Sequence, residues 1–371
     1  MRKGLFIAFL LLIFSGLAFA KEPIFAFLEP DGSQGKPHHL TEEDMTLHLM
    51  DNFWYTESYF FIAYLDSGEI AYLNLIISNM GTKKHQPALT LTIITPERHR
   101  LTTEKDFSPE DLKISRKGFW LQIGDNLLYG DDKHLKLKVK QAGLGLELEF
   151  SSPVSGIKLG DGCAWFGKDK KIFYCINYPA PRARIQGKIF YSGKEVPARG
   201  WGYVDHCWYN ANTTDFERVW HNLKFFSSEL NLIITSFTTP ERFGSERVGI
   251  AFLVNDKEVL DATTKIKVKE SSHQFDSVGK KNYPQRLIFE LNFSSQKAEI
   301  DFDSSRLVEK MDVLEKLNKS AGSRALKWLI NTFICQPYYY RSFGKTELKL
   351  SLEQSTKNIK GEASCEVIFV K

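Results

Sequence analysis

The stretch LKLKVKQAGLGLELEF, residues 135–150, decides the fold class, because its polarity alternates strictly on both sides of a short turn. A two-residue turn at Ala142-Gly143 predicts a β-hairpin with one apolar face and one face of opposed charges. The expected cross-strand pairs are Val139–Leu146, Leu137–Leu148, Leu135–Phe150, Lys138–Glu147 and Lys136–Glu149. A hairpin of this kind buries one face and exposes the other, which is typical of antiparallel sheets.

A second hairpin is predicted over residues 56–78, TESYFFIAYLDSGEIAYLNLIIS, with its turn at residues 66–68. Its first strand is apolar on both faces, since Tyr59 and Phe61 point to one side and Phe60 to the other. Such a strand must be covered on both sides, or line a cavity on one. Repeated hairpins at short spacing indicate a β-sandwich or a β-barrel.

One region departs from the alternating pattern. Around residues 306–333 the apolar side chains recur at helical spacing, at Leu307, Met311, Leu314 and Leu317, and again after residue 322. The spacing predicts two short helices inserted between late strands. We expect their apolar stripes to pack on the β body, and peripheral contact with a membrane is the alternative.

The chain of 371 residues is long enough for about two domains. We predict an N-terminal β domain over 21–197 and a C-terminal β domain over 198–371, the latter with the helical insert. The formal net charge is only +4, which excludes electrostatic binding of nucleic acid as the main function. No fingerprint of nucleotide binding is present.

Residues 1–20 have the pattern of a cleaved signal peptide. A basic start with Arg2 and Lys3 precedes an apolar run, and Ala18-Phe19-Ala20 is a small-x-small cleavage site. The sequence therefore predicts a periplasmic or secreted protein, released by cleavage near Ala20.

An oxidising compartment permits a disulfide bond. In CAWFGKDKKIFYC a turn centred on Asp169 places Cys163 opposite Cys175 if the hairpin is symmetric. The alternative is two small buried apolar side chains.

The most informative stretch is RGWGYVDHCW, residues 199–208. In a strand, His206 and Trp208 share one face, while Tyr203 and Asp205 share the other. Gly202 lies on the His206 face and leaves space there. His206 then either points into a cavity as a polar anchor or proton donor, or is a hydrogen-bonded core histidine.

The pattern Gly-x-Gly-Tyr-x-Asp-His-x-Trp resembles the signature of the AttH-like proteins, which include carotenoid 1,2-hydratases and the survival-factor lipid-binding proteins. The early hairpin with Glu57 in its acidic position, residues 173–189, and the closing segments at 337–341 and 361–367 resemble other parts of the family. Together these segments cover nearly the whole chain after residue 56.

The resemblance implies two tandem lipocalin-like antiparallel β-barrels that bind a long apolar molecule, or act on one, without a metal or an organic cofactor. The ligand-binding residues we expect on this basis are Tyr203, His206, Trp208, Trp220, Tyr59 and Glu57. His206 and His221 could be neighbours on paired strands, but two histidines alone do not predict a metal site.

Three functions remain open. The first is an exported carrier of an apolar lipid or isoprenoid. The second is a cofactor-free hydratase, isomerase or cyclase, which would use His206 with Asp205 or Glu57. Hydratase relatives have a Tyr-x-Asp pair on the strand after the signature, whereas this chain has no carboxylate between Glu229 and Glu241. The third is an envelope scaffold with filled barrels.

Overall fold

Strands form most of the computed structural model, which describes residues 21–80, 83–115, 119–313 and 336–370. They belong to two curled antiparallel sheets, which confirms the all-β prediction. The first sheet contains Ile24–Ala26 (β1), Pro37–His39 (β2), Thr56–Leu65 (β3), Ile70–Ser78 (β4), Gln86–Ile94 (β5), Arg100–Asp106 (β6), Leu112–Ile114 (β7), Phe119–Ile123 (β8), Asn126–Gly130 (β9), His134–Gln141 (β10), Leu144–Ser151 (β11), Ile157–Leu159 (β12), Cys163–Phe166 (β13), Ile172–Tyr191 (β14) and Lys194–Tyr209 (β15).

The second sheet follows in the chain. It contains Val219–Phe226 (β16), Asn231–Thr238 (β17), Arg247–Val254 (β18), Val259–Thr263 (β19), Ile266–Asp276 (β20), Lys281–Asn292 (β21), Lys297–Asp303 (β22), Leu307–Asp312 (β23), Tyr338–Ser351 (β24) and Thr356–Phe369 (β25). The described helical segments are the short helix Glu42–Met45 (α1) and 3-10 turns at Pro109–Asp111, Thr213–Asp215 and Glu241–Phe243.

The strand order places the two longest strands of the first sheet near its middle. The main path of that sheet is β6-β5-β4-β3-β15-β14-β11-β10-β9-β8-β7, and that of the second is β19-β18-β17-β16-β25-β24-β22-β21-β20. The hairpin of β10 and β11 has the predicted register, with Val139 opposite Leu146 and Lys138 opposite Glu147. Its apolar face is buried and its charged face is exposed, so local alternation determines this register.

Three large apolar cores and a small one around Cys163, Phe173, Cys175 and Trp208 hold the described part of the chain together. Each sheet curls around a core of its own, and a third core lies between the sheets. Strand β3 contributes to two of them, since Phe61 packs inside the first sheet and Ile62 packs between the sheets. Strand β3 is thus covered on both sides, and its Ser58 and Phe60 also line a cavity on the side between the sheets. Inside the first sheet, a gap of about 10 Å³ lies beside Leu73 and Leu121.

A buried arginine joins the two sheets. The side chain of Arg182 on β14 is fully buried, and its Nε donates to Asp256 Oδ1 at 2.6 Å. Its Nη1 donates to Asn231 Oδ1 at 2.5 Å and to the carbonyl of Ser227 at 3.0 Å. The guanidinium also lies 4.0 Å from the ring centre of Trp201. One side chain of the first sheet thus satisfies several acceptors of the second.

The helical prediction for residues 306–333 is wrong at its start. Leu307 and Met311 lie in strand β23, which pairs with β24. The buried Glu309 accepts hydrogen bonds from Arg341 of β24, so tertiary pairing overrides the helical spacing here. The remainder of the predicted insert, 314–333, lies outside the described residues, as does the predicted signal peptide. No helix within the described ranges is long and apolar enough to span a membrane.

The chain passes from the first sheet to the second after the predicted domain boundary at Val196-Pro197. Strand β15 crosses that boundary and pairs with β14 and β3 of the first sheet as far as Tyr209. The second sheet begins at Val219. The division into domains 21–197 and 198–371 stays a prediction.

Cys163 of β13 lies opposite Cys175 of β14, and the two form a disulfide bond, while Cys207 and Cys365 are free thiols. Replacing both bonded cysteines by alanine should lower the free energy of unfolding by roughly 3 kcal/mol, because the bond closes a short loop in the unfolded chain. Urea denaturation under oxidising conditions measures this loss. A reductant should destabilise the unmodified protein and leave the double variant unchanged; equal responses of both would contradict the assignment.

Candidate functional site

Strand β15 presents its side chains to two different environments. Val204 packs inside the first sheet, and Tyr203 packs in the core between the sheets. His206 and Trp208 lie on the Val204 side, as the strand alternation predicts, and Asp205 lies on the Tyr203 side. The two faces of this strand therefore belong to two separate sites.

On the first face, three side chains form what we call the His–Glu cluster: His48, Glu57 and His206. His206 Nε2 lies 2.6 Å from Glu57 Oε1, and His48 Nδ1 lies 2.8 Å from the same oxygen. The other oxygen, Oε2, accepts the backbone N–H of His48 at 2.9 Å and the hydroxyl of Tyr55. One ligand atom of each cluster residue lies within 4.8 Å of the others, so the set could hold a metal ion.

Aromatic rings hold both imidazoles of the cluster. The ring of Tyr59 stacks on His206 at 4.0 Å between centres, and Trp208 stacks on His48 at 3.9 Å. The register of β15 with β3 produces this arrangement, because it sets His206 opposite Tyr59 and Trp208 opposite Glu57. The predicted residues Glu57, Tyr59, His206 and Trp208 therefore do come together.

The cluster favours an ionised carboxylate. Burial alone raises the pKa of Glu57, but the hydrogen bonds with His206 and His48 outweigh burial and lower this pKa to about 2. Burial lowers the pKa of His206, and the adjacent Glu57 carboxylate opposes that shift.

The space predicted beside Gly202 is not a ligand cavity. A β-carbon at Gly202 would lie 2.3 Å from Ile185 Cδ1 and 2.7 Å from Phe150 Cε1. These core side chains fill the space, so the glycine serves close packing inside the first sheet.

The opposite face of β15 borders a cavity of about 250 Å³ between the two sheets, which we call the interface chamber. Its lining combines apolar, polar and charged side chains from both sheets. The lining residues are Ser58, Phe60, Asn74, Tyr174, Ile176, Asp205, Cys207, Tyr209, Thr213, Glu217, Trp220, Asn222, Lys224, Thr235, Tyr339, Arg341, Glu366 and Ile368.

The strong charges of the chamber are largely paired with one another. Glu366 accepts from Lys224 Nζ at 3.1 Å through Oε2 and from Arg341 Nε at 3.2 Å through Oε1. Arg341 Nη1 also donates to Glu309 Oε2 at 2.7 Å, and Glu309 lies 3.4 Å from Arg100 of the first sheet. Burial raises the pKa of Glu366, but Lys224 and Arg341 outweigh burial and lower it to about 2.

Four polar atoms of the chamber residues lack a hydrogen-bond partner. Asn74 Oδ1, Asn222 Oδ1, Glu217 Oε2 and Thr235 Oγ1 are buried without a partner among the described residues. A buried acceptor left unpaired costs free energy of folding, commonly about 1–3 kcal/mol. These four atoms are therefore the first candidates for contact with a bound polar group.

Two carboxyl groups of the chamber are easily protonated. Burial raises the pKa of Asp205 to about 6, with Lys224 and Tyr203 opposing the shift. Burial also raises the pKa of Glu217 well above its ordinary value, and the neighbouring Trp220 and Thr213 oppose this shift. A neutral Glu217 carboxyl can donate a hydrogen bond as well as accept one.

The predicted ligand-binding set is thus divided between two sites. Trp220 lines the interface chamber, and Tyr203 donates to Asp205 at its wall, at 2.8 Å. The other predicted residues lie in or against the His–Glu cluster. His206 and His221 are not on paired strands, because β15 pairs with β3 and β14 whereas β16 pairs with β17 and β25.

Several site residues were missed by the sequence reasoning. His48 lies in the loop between α1 and β3, where no periodicity singles it out. Asn222 and Lys224 alternate with apolar residues along β16, and this alternation is a signal from which a polar face of the strand could have been predicted. Glu217 gives no local signal, because only the packing of the second sheet buries it.

Comparisons with known proteins agree on one family. The model of the Svf1 family matches residues 20–371. The ceramide-binding protein SVF1 of Candida albicans is 25% identical over 308 residues, covering 77% of this chain and 78% of that protein. The ceramide-binding protein SVF1 of Yarrowia lipolytica is 22% identical over 348 residues, covering 85% of each chain.

Two solved structures share the fold. A putative AttH protein from Nitrosomonas europaea superposes with a TM-score of 0.56 at 10% identity, covering 91% of this chain and 98% of that chain. Kievitone hydratase from Nectria haematococca superposes with a TM-score of 0.56 at 11% identity, covering 95% and 98%. At such low identity these neighbours establish the lipocalin-like fold, which agrees with the resemblance found in the sequence.

Proposed function

Because the chain belongs to the Svf1 family, we propose that it binds a ceramide-like lipid, with the polar head of the lipid in the interface chamber. The observation that carries the proposal is the set of buried, unpartnered oxygens on Asn74, Thr235, Asn222 and Glu217. The head of a ceramide offers an amide N–H and hydroxyl groups as donors to these oxygens. Its amide carbonyl would accept from the protonated carboxyl of Glu217, whose pKa is raised.

The charge pattern favours a neutral head over a phosphate. Lys224 and Arg341 are already paired with Glu366 inside the chamber, so neither cation is available without breaking a buried ion pair. A phosphate would also face the carboxyl groups of Asp205 and Glu366. A polar but uncharged head fits this environment better.

The size of the chamber limits what it encloses. Pockets that enclose a drug-sized ligand have roughly 300–1,000 Å³, so about 250 Å³ suits the head and the first carbons of a lipid. Phe60, Tyr174 and Trp220 supply apolar wall for those carbons. We propose that the rest of the hydrocarbon lies beyond the chamber.

The lipid anchors in this proposal differ from those expected from the sequence. His206 faces the His–Glu cluster, on the side of β15 away from the chamber. We therefore assign the anchoring contacts to Asn222 and Glu217, with Trp220 as part of the wall.

Replacing Asn222 by leucine should weaken ceramide binding roughly tenfold or more, because a lipid donor in the chamber would lose its acceptor. Transfer of fluorescent ceramide from phosphatidylcholine vesicles to the purified full chain measures the affinity. Asn358→Leu, an exposed position on the neighbouring strand β25, is the matched control and should bind as the unmodified protein does.

Two outcomes would count against the proposal. No uptake of ceramide by the unmodified protein would refute ceramide binding. Equal uptake by Asn222→Leu, in a variant that circular dichroism shows to be folded, would exclude the chamber as the site of the head group.

A cofactor-free hydratase or isomerase acting on an isoprenoid is the second candidate. The observation in its favour is that two acids with raised pKa, Asp205 and Glu217, line one chamber. A general acid needs such a pKa to donate a proton near neutral pH. Incubation with isoprenoid alkenes, followed by mass spectrometry for added water, tests this candidate, with Glu217→Gln as the inactive control.

We keep export as part of the proposal. The signal-like residues 1–20 and the disulfide between Cys163 and Cys175 both favour a periplasmic or secreted location. N-terminal sequencing of the protein purified from its source tests it, and a chain that retains Arg2 and Lys3 would contradict it.

A further inference from the structure

We propose that the His–Glu cluster is a binding site for one divalent transition-metal ion, with His48 Nδ1, Glu57 Oε1 and His206 Nε2 as ligands. Two imidazoles and a carboxylate are a ligand set suited to Zn²⁺ and related ions. The proposal does not depend on the lipid-binding function, since the cluster and the interface chamber lie on opposite faces of β15.

The hydrogen bonds of His206 leave one of its nitrogens available to a cation. Nδ1 lies 3.2 Å from the backbone carbonyl of Asp44, and a carbonyl oxygen can only accept. With the Nδ1 hydrogen donated to this carbonyl, Nε2 can approach the carboxylate oxygen Glu57 Oε1 to 2.6 Å only with a cation between the two atoms. That cation is either a second proton, as in the hydrogen bond described above, or a metal ion that displaces this proton. A backbone carbonyl on the far nitrogen is also the usual support of a metal-bound histidine.

The charge of Glu57 supports the same conclusion. Its side chain is fully buried, and its ion-pair partners in the described part of the chain are His48 and His206, with no lysine or arginine among them. A buried carboxylate needs a nearby positive charge. A metal ion held by both imidazoles would supply that charge.

The three ligands are held in place but can adjust. Stacking on Tyr59 and Trp208 orients the two rings, and the hydroxyl of Tyr55 orients the carboxylate. Ligand atoms about 2.0 Å from a tetrahedral ion lie roughly 3.3 Å apart. The present separations of 2.6 Å (Glu57–His206) and 2.8 Å (Glu57–His48) must therefore widen by about 0.7 and 0.5 Å. The loop position of His48 allows the second of these changes.

Access to the ion is one-sided. The side chain of His48 is 27% exposed, whereas Glu57 and His206 are fully buried. Three protein ligands leave a fourth position for water, as in catalytic zinc sites.

The test uses the full chain after treatment with a chelator, dialysed against Zn²⁺ and against Co²⁺. We expect about one ion per chain by elemental analysis, and a visible absorption band with Co²⁺. Glu57→Gln and His48→Ala should each weaken binding at least about tenfold. Tyr55→Phe, which removes only the supporting hydroxyl, should weaken it by about tenfold and keep the fold.

A matched control exists in the second sheet. Glu270 also lies between two histidines, but His221 and His273 contact different oxygens of its carboxylate. Glu270→Gln should therefore leave the stoichiometry unchanged. The proposal is overturned if no ion binds at micromolar concentration, or if Glu270→Gln abolishes binding while Glu57→Gln retains it.

Discussion

Replacing Arg182 by methionine should lower the free energy of unfolding by roughly 3–5 kcal/mol. The methionine keeps most of the volume, but Asn231 Oδ1 and the carbonyl of Ser227 lose their donor inside the protein. The exposed fraction of Asp256 is 44%, so that carboxylate can be hydrated again and contributes less. Most of the loss therefore comes from the acceptors that stay buried.

Guanidinium denaturation of the full chain measures this loss, with Arg184→Met as the control. Arg184 contacts the same Asp256 at 3.3 Å and the same Trp201 ring, but its side chain is 52% exposed. We expect the control to lose less than about 1 kcal/mol. Similar losses in both variants would show that the buried hydrogen bonds of Arg182 do not join the sheets as described.

Replacing Glu366 by leucine should also lower the free energy of unfolding, by about 3–5 kcal/mol, because it leaves buried cations without their partner. Lys224 is affected most, since its side chain is only 2% exposed and Glu366 is its ion-pair partner. Arg341 retains Glu309 at 2.7 Å and is affected less.

The double variant Glu366→Leu/Lys224→Leu separates charge from packing. Removal of both charges avoids the uncompensated cation, so this variant should be more stable than Glu366→Leu alone, by about 2 kcal/mol. Thermal denaturation followed by circular dichroism measures both variants. A double variant less stable than the single one would mean that packing around Glu366, and not the pairing of its charge, dominates.

The alternation of polar and apolar residues predicted the hairpins because the two strands of a hairpin are adjacent in the sequence. The register of β10 with β11 is encoded by facing lysines and glutamates over sixteen consecutive positions, 135–150. The strand β23 was mistaken for a helix because its partner β24 lies far along the chain. Glu309 forms an ion pair there with Arg341, and the spacing of apolar residues in the sequence does not predict that contact.

The sequence predicted only those features of the candidate sites that depend on a single strand. The alternation of β15 correctly separates His206 from Asp205, because a period of two depends only on the strand itself. Bringing Glu57 to His206 requires the register of β15 with β3, which are about 150 positions apart in the chain. The chamber depends on how the second sheet packs against the first, so Asn222 and Glu217 could not be recognised before that packing was known.

A change of length in strand β15 would affect more of the molecule than a change of residue type. An insertion of one residue between Asp205 and His206 would turn every following side chain to the opposite face. Trp208 would then point away from His48. The residues after the insertion that faced the His–Glu cluster would face the chamber, and those that faced the chamber would face the cluster. Substitutions can alter the His–Glu cluster or the chamber one at a time, whereas a single insertion or deletion in this strand would damage both at once.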